Sequence, residues 1–169
     1  MSAEFSREPT RIIVAFLREI GLPVAAGSVD DASFLPGIEV VTGVLIVDEA
    51  KLKYPGDLLH EAGHLAMTPA ASRSRLSGQV ETPGANADVL ESAAMCWSYA
   101  ACLHLHLDPG SVFHEYGYHG RAQNLLFNFE LGIFPGVHEL VAAEMTRTGV
   151  DTHDSDLHRF PAMKKWLRD

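Results

Sequence analysis

Residues 87 to 106, "ADVLESAAMCWSYAACLHLH", constrain the fold more than any other stretch of this chain. The segment is rich in alanine and reads as one long helix, closed by Asp108-Pro109-Gly110. It is apolar nearly all round, so it has no face to give to water and must be wrapped by the rest of the chain. At 169 residues, 47% of them hydrophobic and 21% charged, the chain is long enough to do this as a single domain spanning 1–169.

The wrapping elements are read from periodicity. "PTRIIVAFLREI" (9 to 20) places Ile12, Ile13, Phe16, Leu17 and Ile20 on one helical stripe, ended by Gly21 and Pro23. A turn-rich stretch follows to Gly37. "IEVVTGVLIV" (38 to 47) is β-branched and reads as strand, with Gly43 a bulge or a turn that splits it in two. Pro55-Gly56-Asp57 opens a second helix over 58 to 67, with Asp57 as a candidate N-cap. Residues 68 to 86 form a long loop of small and polar residues, functional or mobile. Arg73 and Arg75 in it are solvated arginines or contacts for a substrate carboxylate. Three further short helices are expected at 121–131, 137–147 and 161–168. The class is therefore α+β, mostly helical with a small sheet.

The second helix carries "DLLHEAGHLAM", residues 57 to 67. A four-residue step on a helix is about 40° net and one turn up, so His60 and His64 share a face and can converge on one ion. Glu61 lies on the flank, where a carboxylate can reach water without ligating the ion. This is the H-E-x-x-H arrangement of zinc peptidases. Gly63 and Ala62 are small enough for another helix to pack close by. Other histidines lack such spacing: His114 and His119 are about 140° apart on a helix, and His104 and His106 about 200°.

A catalytic zinc takes three protein ligands. The leading candidate for the third is Glu91, whose surroundings, "VLESAAMCWSYAA", are too apolar for a solvated carboxylate. Asp88, one turn earlier, is the alternative ligand or a partner that orients a histidine. In "VFHEYGYHG", Tyr116, Tyr118, His114 and His119 are candidate oxyanion or substrate contacts, or simply an aromatic-packed turn.

A strand, an H-E-x-G-H helix and a second helix opening on a glutamate and alanines resemble the minimal gluzincin core, in particular the ImmA/IrrE-type metallopeptidases. The resemblance covers about residues 38 to 105 and implies a zincin-like fold. It implies zinc on His60, His64 and Glu91, Glu61 as general base, and a peptide or protein substrate. No helix-turn-helix module of the kind some members carry is visible, and residues 110 to 169 match nothing in it. Imidazole and carboxylate also suit other divalent metals. The reading from another class is a non-enzymatic zincin-like domain with a structural metal or a partner-binding role.

Composition bounds the setting. A net charge of −9 argues against nucleic acid and anionic membranes as partners. No apolar run approaches the ~20 residues of a membrane span. The polar start "MSAEFSREPT" shows no secretory signal. Cys96 and Cys102, six apart on one helix, lie about 9 Å apart along its axis, too far for a disulfide. A cytoplasmic protein is the expectation.

Overall fold

The computed structural model describes residues 4–78, 87–149 and 159–169. The chain is mixed α and β, mostly helical, with a three-stranded sheet. Helix α1 (Glu8–Glu19) starts with Pro9 in its first turn and buries Ile13, Val14, Phe16 and Leu17. It ends where Gly21, at φ 95°, lets Leu22 N–H return to Leu17 O at 2.9 Å.

Strand β1 (Val24–Ala26) lies inside the stretch expected to be turn-rich, where no strand was expected. Three residues are too few for a period-2 pattern to register, and pairing with a distant strand creates the element. β2 (Ile38–Val41) and β3 (Val44–Val47) form the hairpin expected around Gly43. Thr42 and Gly43 both take positive φ, 48° and 77°, the two-residue turn that matches strand twist. The order is β1-β3-β2, with β1 parallel and β2 antiparallel to the central β3, so β2 is an edge strand.

Helix α2 (Asp57–Met67) crosses the long α4 (Ala87–His104), and their contact is the heart of the molecule. It is close because α2 has no side chain at position 63. A Cβ on Gly63 would fall 2.8 Å from Ala94 O and 3.2 Å from Ala94 Cα. On another side of α4, a Cβ on Gly136 would fall 2.1 Å from Ser92 O, just before α6 (Val137–Ala142). The wrapping expected of the alanine-rich helix is real: Ala93, Ala94, Cys96, Trp97, Ala100, Ala101 and Cys102 are buried. Both thiols are free, and burial pushes each up to about 11.

Several boundaries differ from expectation. α4 ends at His104, because His106 adopts φ 55° and Leu107 N–H turns back to Cys102 O at 3.0 Å. α6 ends in the same way: Glu144 takes φ 57° and buried Met145 donates to Leu140 O at 2.9 Å. The helix expected at 121–131 is α5 (Ala122–Glu130). Residues 161–168 form turns and no helix. Their backbone is used for tertiary bonds instead: Lys164 N–H donates to Met145 O at 2.8 Å, Arg168 N–H to Ala66 O at 2.9 Å, and Trp166 O accepts from Trp97 Nε1 at 2.8 Å.

The expected long loop holds a short helix, α3 (Ala70–Arg73), and its remainder, 79–86, lies outside the described residues. Arg73 is not available to a substrate. Its guanidinium donates to Leu65 O, Thr68 O and Arg168 O at 2.9, 3.0 and 2.7 Å, closing the end of α2 and tying down the C-terminal segment. No helix among the described residues is long and apolar enough to cross a membrane.

Candidate metal centre

The start of α2 sets the register of the motif. Gly56 occupies the N-cap position, and a Cβ there would fall 2.0 Å from Ser111 O. Asp57 is therefore the first helical residue and not the N-cap. Its carboxylate is turned to His114, with Oδ1 2.9 Å from Nε2. Burial raises Asp57 above its ordinary range, against the pull of His114.

One turn on, His60 and His64 meet edge to face, with ring centroids 4.7 Å apart and Nε2 atoms 3.1 Å apart. Glu91 of α4 faces both: Oε1 is 3.3 Å from His60 Nε2 and Oε2 is 3.1 Å from His64 Nε2. Glu61 completes the group, in that one ligand atom from each of His60, Glu61 and His64 lies within 4.8 Å of the others, close enough to hold a metal ion. The sequence signal for this convergence is the four-residue spacing. The return of Glu91 depends on the Gly63–Ala94 contact, because Ala94 is three residues along α4 from Glu91.

Electron pairs crowd this point. Two imidazole nitrogens and a carboxylate at 3.1–3.3 Å repel one another unless a proton or a cation lies between them. Tetrahedral zinc with Zn–N near 2.0–2.1 Å has ligand–ligand edges of about 3.3 Å, so the donor set fits such an ion. The titration directions tell the same story. Burial disfavours a charged His60, but the hydrogen-bonded Glu91 carboxylate, with Glu61 and Asp57 behind it, outweighs this and raises the imidazole above its ordinary value. Burial would also raise Glu91, yet the two imidazoles hold it well below the usual carboxylate range. Glu61 is raised, first by burial, against His60 and His64 and helped by Glu91 and Asp57.

The aromatic-histidine segment divides. Tyr118 reaches the centre: its hydroxyl is 3.1 Å from His60 Nδ1, and its ring meets the imidazole edge to face at 5.3 Å. Its backbone sits at φ 56°, a left-handed conformation uncommon for an aromatic residue. Burial, with Asp57, Glu91 and Glu61 nearby, pushes its hydroxyl well above the ordinary tyrosine value. Tyr116 points elsewhere; it is 76% exposed, and it stacks toward Tyr54 at 6.0 Å. His114 stacks on Tyr54 at 3.8 Å and pairs with Asp57, and its buried Nδ1 has no hydrogen-bond partner among the described residues. The side chain of His119 lies outside those described. Asp88 is exposed at the start of α4, where its backbone carbonyl accepts from Ser92 Oγ at 2.8 Å, and no hydrogen bond among the described residues links it to His60 or His64.

Comparison with protein-family models, with curated proteins and with solved structures finds no match for the chain.

Proposed function

We propose that the chain is a zinc-dependent hydrolase of amide bonds with a zincin-like core, of the kind the ImmA/IrrE-type resemblance implies. The observation that carries this reading is the closed triangle of His60 Nε2, His64 Nε2 and the Glu91 carboxylate, with edges of 3.1–3.3 Å and Glu61 beside it. His60, His64 and Glu91 hold the ion. Zinc supplies Lewis acidity, which makes nearby water easier to deprotonate and polarises a carbonyl.

The protein's own groups do the rest. Glu61 is a carboxylate kept out of bulk water, and the upward shift that burial gives it makes it a stronger base. It takes a proton from the attacking water and returns it to the leaving amine, which must depart neutral. His60 ligates through Nε2, so its proton resides on Nδ1, where the Tyr118 hydroxyl accepts it. Glu91 is 38% exposed at its side chain, so the centre is open to solvent on that side.

Glu61→Gln is the test. The amide keeps the shape but not the basicity. The variant should bind one zinc per chain with unchanged affinity and lose about 10²–10⁴-fold in turnover of a cleaved peptide. Loss of zinc together with turnover would contradict the role of Glu61 as base.

A further inference from the structure

The substrate's route to Glu61 is restricted by the chain itself. Edge strand β2 would ordinarily offer its outward N–H and C=O groups to an extended ligand. Here four of those groups, at Ile38, Val40 and Thr42, are taken. Ile38 N–H donates to Leu35 O at 3.2 Å, and Ile38 O accepts from Ser33 Oγ at 2.9 Å. Val40 O accepts from Gly78 N–H, and Thr42 N–H donates to Ser77 Oγ, both at 2.8 Å. Two segments of the chain, 33–35 and 77–78, thus occupy the edge along which a peptide would lie.

Between those segments and α2 remains a cavity of about 240 Å³, reached by Glu61 and walled by Phe34, Leu35, Val40 and Gly78. Phe34 is 67% exposed, an aromatic left at the rim where solvent would not favour it. Ligand pockets for drug-sized molecules run from about 300 Å³ upward, so this volume suits little more than one side chain. Its ionisable lining is Glu39 and Glu61, with no basic group among the described residues.

We infer that the centre takes a small amide bearing one apolar side chain, and does not take an extended polypeptide by strand addition. This rests on the hydrolase reading for the chemistry, while the cavity's occupant is tested by binding alone. The probes are N-acetyl-phenylalanine amide and the same unit extended by several glycines on each side. Binding to the zinc-loaded wild type and to Phe34→Ala is followed by NMR titration, with amide exchange read at Ile38, Thr42 and Gly78.

The short amide should bind, the extended one should bind within about threefold of it, and the Phe34→Ala pairing should be about tenfold or more weaker. Gly78 and Thr42 should stay as protected as in the free protein. Affinity that rises about tenfold with extension, with the Gly78 and Thr42 amides released, would mean that a peptide displaces the segments and would overturn the inference. So would failure of the short amide to bind. A bound amide that is never hydrolysed would count against the hydrolase reading and leave the cavity's specificity standing.

Discussion

The histidines at the two ends of α4 have opposite roles, those of α2 at its start and its own His104 at its close. At the N-terminal end, Glu91 faces His60 and His64, which have nitrogen and oxygen neighbours at 3.1–3.3 Å and a tyrosine hydroxyl behind. At the C-terminal end, His104 lies among rings: Phe16 at 5.5 Å and Trp166 at 5.2 Å, with Trp97 5.6 Å from Trp166. The first histidines are poised to give lone pairs to a cation. The last lies exposed against an aromatic cluster. In a chain with nine histidines, number says nothing; spacing and the charge opposite decide.

The comparison implies that chemistry and stability can be separated along one helix. The largest effect is expected at the aromatic end. Trp97 is fully buried and donates to Trp166 O, so Trp97→Ala should cost about 3–5 kcal/mol in urea unfolding. The molecules that remain folded should still take up one zinc. Loss of zinc from folded Trp97→Ala would show that the two ends are one unit.

Gly63 is where the ends would be coupled. Gly63→Ala forces a methyl toward Ala94 O and should cost about 1–3 kcal/mol. Unlike Trp97→Ala, it should also weaken zinc binding, because the strain falls three residues from Glu91. Equal stability loss with unchanged zinc affinity would place the strain elsewhere. The smallest effect belongs to Tyr118→Phe. It leaves His60 in place but removes the acceptor for its Nδ1 proton, so zinc affinity should fall about tenfold, with little change in thermal unfolding of the metal-free protein.

The sequence exposed these parts unequally. The motif helix and the alanine-rich helix were legible because both rest on helical periodicity and local composition, and Gly63 marked the face where a second helix could approach. Strand β1 was not, because its three residues are strand only by pairing with β3. The non-helical course of 161–168 was hidden for the same reason: its backbone partners, Met145 and Ala66, are distant in sequence. Arg73 and Asp57 were misjudged because a loop arginine and a pre-helix aspartate have common local roles, and here tertiary partners claimed both. Among four aromatic-segment candidates, nothing local distinguished Tyr118 from Tyr116; a positive φ turned one toward His60 and left the other in solvent.

The central claim is that His60, His64 and Glu91 form one ion site. Metal content per chain, measured by elemental mass spectrometry on wild type, His64→Ala and Glu91→Ala after zinc loading and removal of excess, tests it most directly. The account predicts one zinc in the wild type and its loss in both variants, with the fold retained by circular dichroism. No zinc in the wild type, or zinc kept by folded Glu91→Ala, would contradict it.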